Sequence, residues 1–412
     1  MMKASVCVVT AGHLSTCPRM LKAADALAGA GYDVRVVSTN HTQWAAAADR
    51  QVLATRTWAS TVVDYDRDTA PVVQAGTGVR FRAAKALSAA LGSARVPMKV
   101  AIRAYSRIHD ELVRAVTDGP ADFVYGGTTG ALAAVAESAA RLRVPYGIDF
   151  EDLHSGEHAS DGAMSNVLAA RIEHEVIGGA SFATAGSPMI ADAYEQAYGV
   201  RPIPVHNTFS LLWPLTLGER GDRPLRVYWF SQTLGPGRGL EDVIRGIGRM
   251  GGTVELHLRA RPIPSYVDAL LSLQREVAPR LLIVRHDPAA PDDMVRLAKS
   301  FDVGLACDEP IGLSRQFCLA NKIFTYLAAG VPVVMSRTPA QARLEATLDG
   351  AAFGYDCGDV DSIACVFSRL ASDPSLLRAA QGAARVAAED RWHWEHPEDR
   401  GALLAAVAGA IR

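Results

Sequence analysis

The sequence predicts an α/β fold with two doubly wound parallel-sheet domains in series. Apolar runs typical of buried strands alternate with amphipathic helices, and this alternation stops near residue 210 and restarts near residue 224. The chain of 412 residues is also longer than one hydrophobic core usually serves. We therefore predict an N-terminal domain at 1–210, a linker at 211–223 and a C-terminal domain at 224–395.

The N-terminal domain begins with a strand, a helix and a second strand within about 35 residues, which is a βαβ unit with parallel strands. The three segments are "SVCVVT", "PRMLKAADALAGAGY" and "DVRVVST", and the helix places Met20, Leu21, Ala24 and Leu27 on one face. Later elements of this domain are "DFVYGG", "GALAAVAESAARL", "PYGIDFED", "ASFATAGS", "PMIADAYEQAYG" and "PIPVHN".

The C-terminal domain repeats the alternation after "LLWPLTLGERGDRP", a segment with Pro and Gly and no clean period, which predicts a linker. Its elements are "LRVYWFS", "GLEDVIRGIGRM", "VELHLRA", "SYVDALLSLQREV", "RLLIVRH", "PDDMVRLAKS", "DVGLACD", "NKIFTYLAAG", "VPVVMS" and "AAFGYDCGD", followed by helices. In such sheets ligands bind beyond the carboxyl ends of the strands, so residues directly after strands are the candidates for function.

Composition excludes several classes of protein. A net charge of −2 gives no general basic field for nucleic acid, and no apolar run is long enough for a signal peptide or a membrane span. The six cysteines show no zinc-finger or CxxC spacing, so we expect reduced, structural thiols. We also expect no metal site and no cofactor. We expect a cytoplasmic protein, with peripheral membrane contact possible through the basic stretch 80–107, which could dock a lipid headgroup or a phosphorylated acceptor or be a solvated helix face.

The loop "TAGHLSTCPR" follows the first strand and opens the first helix. Gly12, Ser15 and Thr16 offer backbone and hydroxyl donors to an anion or a sugar, but a tight turn with a helix cap explains them equally well. The loop has no GxGxxG pattern, which argues against a nicotinamide or flavin enzyme.

Acidic and imidazole side chains cluster in "DFEDLHSGEH", at the end of a strand. Such groups shift one another's pKa values and can place a general base or orient a sugar, although a solvated acidic loop remains the alternative. The cluster consists of Asp149, Glu151, Asp152, His154, Glu157 and His158.

The segment "WFSQTLGPGRGLEDVI" runs from a strand through a glycine-rich turn into a helix. Gly235, Gly237 and Gly239 free the backbone to wrap an anion, and Arg238 adds a permanent charge beside the helix N-terminus. This pattern indicates phosphate binding.

A second anion signal precedes the helix in "SRQFCLANKIFTYLAAGVPVV". Lys322 lies in the first helical turn, where a cation opposes the helix dipole, so we expect a bound anion nearby; a lysine whose charged end reaches solvent is the alternative. Ser314, Arg315, Gln316 and Asn321 precede this helix.

The order of these motifs resembles the GT-B glycosyltransferases of the large retaining class that use nucleotide-diphosphate sugars. The resemblance rests on "CPRMLKAADALAGAGYDVRVVS", "PYGIDFEDLHSGE", "PIPVHNTFS", "GRGLEDVIRGI" and "NKIFTYLAAGVPVV". It implies two Rossmann-like domains facing a cleft, with the donor on the C-terminal domain, the acceptor on the N-terminal domain and usually no metal. It also implies that a final helix at 396–412 packs back on the N-terminal domain.

The resemblance implies roles for individual residues. Those expected in catalysis are Glu151, Asp152, His154, Arg238 and Lys322. Those expected to bind the donor are Ser231, Gln232, Gly237, Gly239, Arg259, His286, Arg315, Gln316, Asn321 and Thr325. Those expected to bind the acceptor are Gly12, His13, Arg19 and Asn207.

The chain departs from the family pattern at several positions. Ser231 and Gln232 stand where the family often has Gly and Arg, and Thr325 stands where a glutamate grips the ribose. Phe317 occupies the companion acidic position, and Glu151 the position of a common histidine. Arg259, Arg315 and Lys322 could supply the missing positive charge.

Three functions fit this sequence. The main hypothesis is a metal-independent, retaining glycosyltransferase in which Arg238 and Lys322 neutralise the leaving diphosphate, and Glu151, Asp152 or His154 orients the sugar or takes the acceptor's proton. The expected partners are a nucleotide-sugar donor and an acceptor that is a small molecule, a glycan or a lipid-linked sugar, and no nucleic acid. The alternatives are a nucleotide-sugar 2-epimerase and a non-catalytic, glycosyltransferase-like partner subunit.

Overall fold

The computed structural model describes residues 3–160, 162–211, 223–250 and 252–411. The chain forms two compact units, one from Met1–His206, Gly312–Ser314 and Pro397–Arg412 and the other from Asn207–Ile311 and Arg315–His396. Most of the predicted linker 211–223 lies outside the described residues, so its limits and those of the two domains stay predictions.

The first unit contains a seven-stranded parallel sheet in the order β3-β2-β1-β4-β5-β6-β7. Its strands are β1 (Ser5–Thr10), β2 (Asp33–Asn40), β3 (Ala59–Asp64), β4 (Phe123–Gly127), β5 (Tyr146–Phe150), β6 (Phe182–Ala185) and β7 (Ile203–Pro204). Its helices before the second sheet are α1 (Pro18–Gly29), α2 (Gln43–Leu53), α3 (Pro71–Leu91), α4 (Met98–Tyr105), α5 (His109–Thr117), α6 (Leu132–Leu142), α7 (Met164–Ile177) and α8 (Pro188–Tyr198). Short 3-10 turns cover Leu14–Thr16 and His154–Gly156.

The second unit contains a six-stranded parallel sheet in the order β10-β9-β8-β11-β12-β13. Its strands are β8 (Leu225–Leu234), β9 (Val254–Pro262), β10 (Leu282–His286), β11 (Val303–Ala306), β12 (Val333–Ser336) and β13 (Ala352–Tyr355). The helices from here to the end of the chain are α9 (Leu240–Arg249), α10 (Pro264–Val277), α11 (Met294–Ala298), α12 (Gly312–Phe317), α13 (Asn321–Ala328), α14 (Pro339–Glu345), α15 (Val360–Ser372), α16 (Pro374–Asp390) and α17 (Ala402–Ala410). A 3-10 turn covers Pro291–Asp293, and a one-turn π-helix covers Pro397–Gly401.

Both sheets have the same winding, and it determines where ligands can bind. In each sheet the chain first adds strands on one side of the first strand and then on the other. The strand order therefore reverses between β1 and β4 in the first sheet and between β8 and β11 in the second. In open parallel sheets the loops after two such neighbouring strands splay apart and leave a crevice. The predicted fold class is therefore confirmed, and each sheet has one such topological switch point.

The residue types of β1 in the first unit and of α9 in the second explain why these segments form a buried strand and an amphipathic helix. Val6, Cys7 and Val8 of β1 are fully buried, as expected for a parallel strand covered on both faces. In α9 the buried residues Leu240, Val243, Ile244 and Ile247 confirm the expected face and the expected helix start.

The chain between residues 41 and 121 contains elements that the sequence pattern did not indicate. These are α2, β3 and α3 to α5, and α3 buries only Thr77, Gly78, Ala84 and Ser88. A buried seam of small and polar residues gives no periodic apolar signal. None of the helices within the described ranges is long and apolar enough to cross a membrane.

Candidate functional site

The glycine-rich loop of the second unit lies at the switch point between β8 and β11. Gly237 and Gly239 have φ angles of 72° and 71°, a left-handed conformation that favours glycine. A Cβ on Gly239 would lie 2.3 Å from the carbonyl oxygen of Cys307, at the end of β11, whereas a Cβ on Gly237 would meet nothing closer than 3.9 Å. The loop therefore needs glycine at 239 for a close backbone approach as well as for its conformation.

Arg238 is the basic residue at the centre of this loop. Its side chain is half-buried and makes no hydrogen bond or ion pair with any described residue. Burial lowers the pKa of Arg238 and the nearby charge of Arg315 lowers it further, while the Asp308 carboxylate opposes both only in part. Arg315 itself donates a hydrogen bond to the carbonyl oxygen of Gly237. Two cations that repel each other at a helix N-terminus are the arrangement expected for an anion site.

One backbone donor of this loop is already engaged by the chain. The amide of Gly239 donates to Oε1 of Glu309 at 3.0 Å, so a carboxylate lies at the start of α9. Glu309 lies in the loop that follows β11, and the rule that ligands bind beyond strand ends would have identified it from the sequence.

Lys322 has its negative partner within the chain. Its Nζ lies 3.3 Å from Oδ1 of Asp308, and Oδ2 of Asp308 accepts a hydrogen bond of 2.9 Å from Gln341. Although burial raises the pKa of Asp308, Lys322 and the hydrogen bonds outweigh it and leave the pKa lowered. The expectation that Lys322 requires a bound anion is therefore wrong: Asp308 already compensates its charge.

Thr325 is a second correction. It was expected to contact the ribose, but it is fully buried, and its hydroxyl donates to the carbonyl oxygen of Asn321, one turn earlier, at 3.2 Å. A hydroxyl that is buried and bonded to the backbone of its own helix is not available to the donor. Asn321 is half-buried and is the first residue of α13, so it lies inside the helix and not before it as predicted.

Ser231 and Gln232 lie inside a strand rather than after it. Strand β8 continues to Leu234, and its pairing with β9 shifts register between Phe230 and Thr233. Such irregularities re-aim side chains and occur often beside functional sites. Ser231 is half-buried and Gln232 is exposed.

Arg259 and His286 belong to the other half of the sheet. They are register partners on β9 and β10. Arg259 donates to the hydroxyl of Tyr228 at 2.8 Å and to the carbonyl oxygen of Asp287 at 2.6 Å, and Nε2 of His286 lies 3.0 Å from Nδ1 of His257. Their polar atoms thus serve neighbouring strands and not the glycine loop. Gln316 contacts the carbonyl oxygen of Pro310 at 3.4 Å.

In the first unit, His13 was expected to contact the acceptor and does not. It is 1% exposed, and the amides of His41 and Thr42 donate to its Nε2 at 3.1 and 3.2 Å. Its Nδ1 therefore carries the proton and donates to Asp49 at 2.8 Å. Both ring nitrogens are used to hold the loop, so His13 is structural.

The rest of this loop is also satisfied internally. The amide of Gly12 donates to the hydroxyl of Thr10, and the amide of Ser15 donates to Asp49. A Cβ on Gly12 would lie 2.8 Å from Sγ of Cys17. Gly12 is therefore required for packing, and the tight-turn interpretation of the loop is the one that its contacts favour.

Arg19 is a further correction. It is 5% exposed and forms a two-pronged ion pair with Asp149, with Nε of Arg19 2.8 Å from Oδ2. It also donates to the carbonyl oxygen of Val205. Its donors join α1 to β5 and the end of β7, so they are not available to an acceptor. Asn207 is likewise buried.

Glu151 lies directly beyond β5 and is the titratable group best suited to move a proton. Burial raises the pKa of Glu151 to about 7, helped by Asp152 and Asp149 and opposed by Arg19. Burial also lowers the pKa of Lys22 to about 7. A carboxyl that titrates near neutral pH can serve as a general base.

His154 is placed to donate a hydrogen bond. Its Nδ1 lies 2.8 Å from Oε1 of Glu157, while its Nε2 is buried and has no hydrogen-bond partner among the described residues. Burial alone would lower the pKa of His154, but the Glu157 carboxylate raises it to about 9. A raised pKa keeps the proton on the ring near neutral pH, which favours a hydrogen-bond donor role for His154 over the predicted role as acceptor of a proton.

Two residues near His154 were missed by sequence reasoning. The hydroxyl of Thr129 lies 3.3 Å from Nδ1 of His154, and the hydroxyl of Tyr105 is buried without a partner among the described residues. Thr129 follows β4, so the strand-end rule would have found it. Tyr105 ends α4 in a region without a clear pattern, and no sequence signal indicates it. Asp152 is half-buried beside this group.

Comparisons with known proteins concern the family and the fold of the chain. Residues 18–207 match the model of the Glycosyl transferase 4-like domain. No curated protein is significantly similar in sequence. Among solved structures, Anabaena HepE in complex with UDP and glucose aligns over 99% of both chains at 16% identity and a TM-score of 0.67.

Two other solved structures share the fold. Sucrose-phosphate synthase from Thermosynechococcus elongatus aligns over 100% of both chains at 12% identity and a TM-score of 0.67. A putative UDP-N-acetylglucosamine 2-epimerase from Listeria monocytogenes aligns over 99% of this chain and 97% of its own at 13% identity and a TM-score of 0.58. The resemblance inferred from the sequence is confirmed: residues 18–207 match the Glycosyl transferase 4-like domain, and the chain has the GT-B fold.

Proposed function

We propose that the protein transfers a sugar from a nucleoside diphosphate sugar to an acceptor, with retention and without a metal ion. The observation that carries this proposal is the half-buried guanidinium of Arg238. It has no ion pair within the described residues and lies near Arg315 at the switch point of the second sheet. A diphosphate is the ligand whose charge would relieve that repulsion.

Uridine is the base to test first. The solved structures similar to this chain include HepE with UDP and HepE with UDP-glucose. At identities of 15–16% this likeness concerns the fold, so the base of this chain's donor is part of the proposal.

In this reaction negative charge grows on the leaving diphosphate as the bond to the sugar breaks. Arg238 on the glycine loop and Arg315 of α12, which donates to the carbonyl oxygen of Gly237, are the cations that stabilise that charge. Lys322 contributes less, because Asp308 already compensates it. The amide of Gly239 can bind a phosphate oxygen only after Glu309 releases it.

The polar groups beyond β5 of the first unit supply the remaining chemistry. Glu151, with a pKa near 7, takes the proton of the acceptor hydroxyl. His154 donates a hydrogen bond from Nε2 to a sugar oxygen. Retention of configuration rests on the resemblance to the retaining class.

A thermal-shift screen tests the donor site. The purified protein is heated with UDP, GDP, ADP, CDP and dTDP, in magnesium and in EDTA. A ligand at a hundred times its dissociation constant stabilises the fold by about 2.7 kcal/mol, which gives a clear shift of the melting temperature. We expect one diphosphate to shift the wild type equally in magnesium and EDTA, and to have no effect on Arg238→Ala. Arg378→Ala, an exposed arginine of α16 without an ion pair among the described residues, is the matched control and should respond like the wild type.

Product analysis then separates the alternatives. Sugar transferred only when an acceptor is added supports a glycosyltransferase, whereas an isomerised nucleotide sugar without acceptor would identify an epimerase. If no diphosphate shifts the protein, the donor site is not functional and the partner-subunit alternative replaces the proposal.

A further inference from the structure

Helix α3 presents its large apolar side chains to solvent. Its buried side consists of the small or polar residues Thr77, Gly78, Ala84 and Ser88. Of the twelve exposed large hydrophobic residues found in the described chain, five lie on this helix: Val72, Val73, Val79, Leu87 and Leu91, between 38% and 84% exposed. This is the reverse of a surface helix of a soluble domain, which turns its large apolar residues inward.

The exposed apolar residues form one continuous stripe along α3. Val72, Val79, Ala83, Leu87 and Ala90 are all exposed and recur at intervals of seven, four, four and three residues. Such intervals place them on one face of a helix. The opposite side of α3 packs through Ala84 into a cluster with Ala101 and Ala104 of α4. The stripe is thus a fixed surface feature of the first unit.

Basic residues accompany this stripe. Residues 71–108 contain seven Lys and Arg and no Asp or Glu, in a chain whose net charge is −2. Arg80 and Arg103 pair with the acidic residues Glu111 and Asp110 of α5, and Arg107 donates to Thr77. The remaining four, which are exposed and make no ion pair with the described residues, are Arg82, Lys85, Arg95 and Lys99.

We propose that α3 and the turn that follows it, residues 71–99, dock the protein on the surface of an anionic lipid bilayer. An apolar stripe with basic residues at its border is the pattern of a helix that lies in the membrane interface, with its apolar side chains among the acyl chains and its cations at the headgroups. A second copy of this chain would bring the same four cations against one another, which disfavours a self-interface here. Helix α3 belongs to the first unit and the glycine loop to the second, and the inference uses no residue of that loop, so it goes beyond the proposed transfer reaction and does not depend on it.

Vesicle sedimentation tests the proposal with the full chain. We expect the wild type to pellet with vesicles of phosphatidylcholine and phosphatidylglycerol, to bind much less to phosphatidylcholine alone, and to dissociate as salt is raised. Each Lys or Arg near an anionic surface is worth roughly fivefold in binding, so Arg82→Glu combined with Lys85→Glu should weaken it by about 25-fold or more. Val79→Asp combined with Leu87→Asp should also reduce it, because the apolar contribution is lost.

The matched controls introduce the same types of substitution on α16, away from α3. Val386→Asp alters a side chain 54% exposed on α16, and Arg378→Glu reverses an exposed charge on that helix. Both should pellet like the wild type. All variants change exposed residues, and equal melting temperatures verify that they are folded.

Several outcomes would overturn the proposal. These are a wild type that stays in the supernatant with anionic vesicles, equal binding to both vesicle types, and α3 variants that bind as the controls do. A dimer seen by analytical ultracentrifugation that Val79→Asp abolishes, without vesicle binding, would show instead that the stripe is an interface between copies. Failure of nucleotide binding would leave these results unaffected, so the two proposals fail separately.

Discussion

Nζ of Lys322 lies 3.3 Å from Oδ1 of Asp308, and both side chains are largely buried, with 9% and 17% of their surface exposed. The cation that opposes the dipole of α13 is therefore compensated by a carboxylate directly after β11. The pair joins the segment after β11 to the first turn of α13.

Removing only the cation of this pair should destabilise the protein. We expect Lys322→Met to lower the free energy of unfolding of the second unit by about 3 kcal/mol, because it leaves Asp308 as an uncompensated buried charge. Urea denaturation measures this, and Lys322→Met with Asp308→Asn should cost less than the sum of the single changes. Additive single costs would show that the two groups do not interact.

Gly237 and Gly239, the two glycines of the glycine loop with positive φ, should differ in their effect on nucleotide affinity when each is changed to alanine. Both changes meet the cost of a positive φ, about 1 kcal/mol. Only at Gly239 does the new Cβ collide with backbone, 2.3 Å from the carbonyl oxygen of Cys307. We expect Gly237→Ala to keep most nucleotide affinity and Gly239→Ala to lose it, as measured by titration calorimetry. Equal losses would contradict the close-approach argument.

Thr325 should have little influence on the donor. Because its hydroxyl is buried and bonded to the carbonyl oxygen of Asn321, Thr325→Val should leave nucleotide affinity within about twofold and stability within about 1 kcal/mol. Thr325→Glu buries a charge and should destabilise the protein by several kcal/mol. A tenfold loss of affinity in Thr325→Val would restore this residue to the donor site.

His154 should titrate well above an ordinary histidine. The folded pKa is about 9 against an ordinary histidine value of 6.5, so its ion pair with Glu157 stabilises the fold fully below pH 6.5 and loses that effect as the pH rises through 9. The difference corresponds to about 3 kcal/mol. NMR of labelled histidine should show the high pKa, and Glu157→Gln should lower it. An unchanged titration in Glu157→Gln would contradict the cause given.

Glu151 should control the acidic limb of the rate profile. Its pKa is raised to about 7, so below that pH it is protonated and cannot accept a proton. We expect kcat/KM to fall as the pH drops below 7, and Glu151→Gln to lose both most of the rate and this dependence. A Glu151→Gln enzyme that keeps the acidic limb would assign it to another group.

Sequence patterns predicted the structure correctly where the residue type itself indicates the conformation, as with apolar runs and glycine turns. Alternating apolar runs predicted the strands and helices from β4 to β13 apart from α7, α12 and α14, and the glycines around Arg238 predicted the turn before α9. Helix α3 was not predicted, because its buried side contains Thr77 and Ser88, which are polar although tertiary contacts bury them.

The sequence by itself determined the two parallel sheets, the strand ends at which polar residues collect, and a glycine loop with Arg238 at its centre. Only the tertiary structure decided which polar residues are free to act. It paired Lys322 with Asp308 and Arg19 with Asp149, used both nitrogens of His13, and buried Thr325, while Arg238 received no partner among the described residues. The physical reason is that a charge or hydrogen-bonding group acts according to its nearest partner, and that partner can be distant in the chain, as with Arg19 and Asp149.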